Sequence, residues 1–163
     1  MTPSAMRKQT LALVVLAMTT MAATASAESL LAFATRANNA QGSSSQLVAL
    51  KDNGSTDLTF RTTGPNKLLK ITYNAECASA GADNSGVSVT VLVDGIQANP
   101  MSGTTFALCS SLPNDALEWT GAVRQSLITV PAAGHHVVQV RVDLNGGATF
   151  WELGDSSIVV EQK

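Results

Sequence analysis

HVVQVRVDL, running from His136 to Leu144, alternates along its whole length. Val138, Val140, Val142 and Leu144 fall on one side of an extended chain, and Gln139, Arg141 and Asp143 on the other. A period of two is the mark of a half-buried β-strand. Pro131–Gly134 reads as the turn before it, and Asn145-Gly146-Gly147 as the turn after it. Beyond that turn, Thr149–Leu153 and Ser156–Glu161 read as the two closing strands. Upstream, Trp119–Val130 is long and imperfectly alternating, with a bulge expected near Gly121.

The same period governs the rest of the chain from Ser29. Leu69, Ile71, Tyr73, Ala75 and Cys77 alternate with Lys70, Thr72, Asn74 and Glu76, and Val87, Val89, Val91 and Val93 line a further strand. Ser29–Arg36, Gln46–Lys51, Leu58–Thr62 and Thr104–Cys109 read as shorter strands. Asp52-Asn53-Gly54, Gly64-Pro65-Asn66 and Asp94-Gly95 supply turns, and Ala78–Gly86 reads as a polar loop. Nine or ten strands with frequent turns and no crossover helix predict an all-β fold. The expected form is a jelly-roll-like sandwich of two antiparallel sheets over residues 28–163, or a flattened barrel.

The first 27 residues have another character. Arg7 and Lys8 precede the apolar run Leu11–Met18, and Ala25-Ser26-Ala27 follows as a small-residue cleavage site. This is the pattern of a secretory signal peptide, and the run is short for a membrane span. Export to a periplasmic or extracellular space is therefore expected, with no membrane attachment after cleavage. Without Arg7 and Lys8, eight basic residues face twelve acidic ones. That net negative balance argues against nucleic acid as a partner. Two cysteines, Cys77 and Cys109, remain after an export signal and predict one disulfide.

Candidate chemistry is sparse. His135 and His136 are the two histidines and neighbour each other, so on a strand they point to opposite faces. An exposed turn pair is the plain reading. No serine sits in G-x-S-x-G, and the carboxylates of Glu76, Glu118, Glu152, Asp94, Asp143 and Asp155 cannot be paired from sequence. The expectation is a protein without catalytic activity. A small secreted hydrolase is the third choice. Asp52, Asp57 and Asp83 lie in loops rich in oxygen donors and suit calcium, although the same residues are ordinary turn formers. No other cofactor is expected.

Aromatic residues make up 4% of the chain, so each position counts. Trp119 and Trp151 are the candidates for stacking on a sugar ring, and the competing reading places both in the core. A carbohydrate or a surface protein is the expected ligand. Self-assembly into an envelope or extracellular layer is the alternative.

VPAAGHHVVQVRVDLNGGATFWELGDSSIVV (Val130–Val160), taken with YNAEC, VLVDG and FALC upstream, resembles exported bacterial β-sandwich proteins of unassigned activity. It is similar in pattern to C1q/TNF-like jelly-roll modules. The resemblance implies a non-catalytic module that binds a ligand or partner and can trimerise. It assigns no functional residue.

Overall fold

The computed structural model describes residues 28–83, 85–100, 107–111 and 117–163. The expected signal peptide lies outside them, as do Asn84, residues 101–106, which include the first three of the expected strand Thr104–Cys109, and residues 112–116. The described residues form twelve strands and no helix. These are β1 (Ser29–Arg36), β2 (Ala40–Gly42), β3 (Gln46–Leu47), β4 (Leu58–Thr62), β5 (Lys67–Gly81) and β6 (Gly86–Val93). They continue with β7 (Ile96–Gln97), β8 (Asn99–Pro100), β9 (Cys109–Ser110), β10 (Thr120–Val130), β11 (Gly134–Asn145) and β12 (Ala148–Gln162).

They build two antiparallel sheets. Sheet A runs β1-β12-β5-β10-β8, with β2 also on β12. Sheet B runs β3-β11-β6-β7, with β4 also on β11 and β9 on β6. The chain hops between sheets from β4 to β5 to β6, and again from β10 to β11 to β12. This is a jelly-roll-like sandwich. Alternation decides which residues fill it. Sheet A sends in Leu69, Ile71 and Tyr73 from β5, and Leu153, Ile158 and Val160 from β12. Sheet B answers with valines of β6 and β11, and all of these are buried. Each such side chain removed from water stabilises the fold by about 1.5–3 kcal/mol before chain entropy is set against it.

Cys77 of sheet A and Cys109 of sheet B are joined by a disulfide, with Cα atoms 5.8 Å apart. It ties the two-residue β9 to β5, one of the two 15-residue strands of the other sheet. A disulfide fits an oxidising compartment. No helix of the described residues is long and apolar enough to cross a membrane.

Several expectations are corrected. Ala78–Gly81 continue β5 and are not loop, because Ala78, Ser79 and Ala80 pair with Glu152, Trp151 and Phe150. The strand ends at Gly81, whose φ of +148° and close approach to Gly147 and Ala148 leave no room for a Cβ. Gln46–Lys51 shrinks to the two residues of β3. The bulge expected near Gly121 is absent, since β10 pairs with β5 residue for residue from Thr120 to Val130. It lies instead in β12, which joins the two expected closing strands into one. Leu153 faces Cys77 and Ser156 faces Ala75, so Gly154 and Asp155 together stand opposite Glu76.

His136 is also not an exposed turn residue: it is 5% exposed, whereas His135 is open to solvent. It shares the face of Val138 and so points inward. Its polar ring is accommodated by local partners. Nδ1 lies 2.7 Å from Asp94 Oδ2, Nε2 lies 3.1 Å from Thr62 Oγ1, and Phe60 stacks on the ring. Asp94, at φ +52° in the β6–β7 turn, also accepts from the Val137 amide at 2.9 Å.

Candidate functional site

The outer face of sheet A carries an open groove of about 510 Å3. It crosses β1, β12, β5 and β10 where the bulge lies. Register explains its lining. Thr35 pairs with Ser157, Ser157 with Asn74, and Asn74 with Val123, so one outward row crosses four strands. In the next row Glu76 stands between Gly121 of β10 and the bulge of β12. Gly121 has nothing within 4 Å of where a Cβ would be, and its missing side chain leaves that part of the groove open.

Glu76 and Asp155 are exposed, and among the described residues neither has a hydrogen-bond or ion-pair partner. Asp52 reaches the same groove from the β3–β4 connection. Its Oδ1 accepts from the Ala37 amide at 2.8 Å, the Asn38 amide at 3.3 Å and Asn38 Nδ2 at 3.2 Å. Those bonds hold the chain leaving β1 against the groove.

Beneath the floor lies Arg36, which faces Ser156 across the β1–β12 pairing and is 2% exposed. Its Nη2 donates to the carbonyls of Leu153 at 3.3 Å and Gly154 at 3.0 Å, and its Nη1 to that of Asn38. The guanidinium thus satisfies carbonyls that the bulge frees from the ladder. Its Nε and the Tyr73 hydroxyl lack partners among the described residues. Burial holds the Tyr73 phenol above its ordinary pKa, an effect partly offset by the Ser156 hydroxyl and the Arg36 charge.

The two tryptophans have separate fates. Trp119 is 43% exposed and sits beside the groove on Gly154. A Cβ on Gly154 would meet Trp119 Cζ3 at 3.1 Å and Glu76 Oε2 at 2.8 Å, so the indole and the carboxylate share that glycine. Trp151 is 1% exposed and its Nε1 donates to the Ser44 carbonyl at 3.0 Å. It is a core residue and offers no surface for stacking. Its strand β12 is interior to sheet A, between β1 and β5.

The three loop aspartates are not brought together as a metal centre. Asp52 is engaged as described, Asp57 accepts from Gln139 Nε2 at 2.8 Å, and Asp83 is exposed after β5. Among the described residues no group of three or more His, Cys, Asp or Glu side chains could hold a metal ion. An acid, an imidazole and a hydroxyl do align in Asp94, His136 and Thr62. Thr62 is 1% exposed and none of the three lines the groove, so the cluster ties the β6–β7 turn and β4 to β11.

Sequence reasoning named Trp119, Glu76, Asp155 and Asp52 as separate possibilities. It missed Asn74, Ser157, Thr35 and Gly121, which join them only through strand register.

No family model and no curated protein matches the chain. Among solved structures it is similar to an infectious bursal disease virus structure (Gx strain), at 14% identity and a TM-score of 0.34 over 83% of this chain and 32% of that one. It is also similar to the catalytic domain of a GH87 alpha-1,3-glucanase in complex with nigerose, at 15% identity and a TM-score of 0.26 over 79% of this chain and 28% of that one. The chain thus spans about a third of the length of the solved structures it resembles.

Proposed function

We propose that this chain is an exported, non-catalytic binding module whose ligand is a carbohydrate, held in the groove on sheet A. The observation that carries this reading is the exposed Trp119 beside an open groove lined by Thr35, Ser157, Asn74 and carboxylates. Sugar rings present apolar C–H faces that suit an indole, and hydroxyls that suit groups able to donate and accept. Trp119→Ala is expected to abolish retention on a glycan array or immobilised polysaccharide with little change in thermal midpoint. Binding that survives this substitution, or a wild-type protein that binds no glycan, overturns the proposal. Export rests on the leader and the disulfide. Amino-terminal sequencing of the mature protein should begin at Glu28.

Self-assembly is the second reading, supported by Phe33 and Val123. Both face outward from sheet A and are more than 60% exposed. Light scattering at high concentration separates the readings: a monodisperse monomer argues against assembly. An oligomer dispersed by Phe33→Ser and Val123→Ser supports it.

A further inference from the structure

The charge of the groove narrows the ligand class, an inference that rests on the carbohydrate reading above. Three carboxylates, of Asp52, Glu76 and Asp155, line it. The cation among its lining residues, Arg36, is 2% exposed and spends its Nη groups on backbone carbonyls. Three carboxylates against one guanidinium leave the groove net negative, with the carboxylates at the accessible surface and the cation below, over a partly apolar floor. Its field favours cations and repels uronic acids, sulfates and phosphates.

The shape of the floor argues against a basic peptide. Peptides are commonly held along a free strand edge by main-chain hydrogen bonds. Here β12 and β5 are interior strands, and among the described residues the free edges of β1 and of β10 at Gly121–Val123 lie at the rims of the groove. The floor between them offers side chains, and the carbonyls of Leu153 and Gly154 at the bulge are already taken up by Arg36. Those side chains are amide, hydroxyl, carboxylate and indole.

We propose that the sheet A groove selects a glycan bearing free amino groups, with its ammonium groups among Glu76, Asp155 and Asp52 and one sugar face against Trp119. The probes are soluble glucosamine oligomers and fully N-acetylated oligomers of equal length, titrated calorimetrically at a pH where the free amines are protonated. The free-amine series is expected to bind about tenfold tighter. Glu76→Gln and Asp155→Asn should each weaken that series about threefold or more and leave the acetylated series unchanged. Gly121→Val should weaken both series by filling the groove, and retained thermal midpoints will show that the variants are folded.

Equal affinity for the two series, still dependent on Trp119, overturns the charge inference and leaves the carbohydrate reading standing. Free-amine binding indifferent to Glu76→Gln and Asp155→Asn overturns it as well, as does polylysine binding with equal affinity at the same charge. Failure of both series and of every glycan on an array overturns the carbohydrate reading itself.

Discussion

Single residues set the boundary between core and site. Trp151 and Trp119 are chemically identical, yet only the second meets solvent. Trp151→Ala should destabilise the protein by about 3–5 kcal/mol in denaturant unfolding, because it empties a large volume that strands cannot close over. Gly42 belongs to the same packing. A Cβ there would lie 2.8 Å from the Trp151 ring, so Gly42→Ala should cost about 1–3 kcal/mol through overpacking. Tyr73 makes a pH-dependent contribution. Its native pKa lies above the ordinary value of 10.0. Its contribution to stability is therefore complete below about pH 10 and falls as pH rises toward the native pKa. Tyr73 is the one tyrosine of the chain, so its ultraviolet ionisation can be followed directly. It should ionise together with alkaline unfolding. Tyr73→Phe should remove that part of the alkaline loss at little cost near neutrality, since the buried hydroxyl has no partner among the described residues.

At the level of elements, the bulge in β12 does most to shape the groove. It places two residues opposite Glu76, and Gly154 accepts Trp119 on its surface. Gly154→Ala should displace the indole and the flexible carboxylate end, lowering ligand affinity while the midpoint of unfolding changes little. Alternation alone made several strands legible: β4 and β1 have the bounds read from sequence, and the inward valines of β6 and β11 are as expected. What could not be read was anything set by pairing. The sequence Leu153-Gly154-Asp155-Ser156 breaks the period, which invited two strands where one bulged strand runs. The alanines after Cys77 carry no polarity signal, and pairing with β12 makes them strand. The groove was illegible for the same reason. Thr35, Asn74, Val123 and Ser157 are far apart in the chain, and register is what makes them neighbours.

Across the whole molecule, the disulfide and the end strands hold the sandwich closed. Cys77–Cys109 links the sheets across 32 residues of sequence, and its removal by paired serine substitution should cost about 2–5 kcal/mol in chemical denaturation. A reduced protein of unchanged stability would contradict that. At the far end, Ser29 of β1 pairs with Gln162 of β12, and Lys163 forms an ion pair with Glu28. Its amide also donates to the Leu68 carbonyl. The first and last described residues are therefore neighbours within one sheet, and the fold is topologically a ring cut between them. A few flexible residues could join Lys163 to Glu28, with new termini opened at the exposed Asp94-Gly95 turn away from the groove. Such a circular permutant should retain the sandwich and the ligand preference of the parent, but lose the His136 anchorage that Asp94 provides.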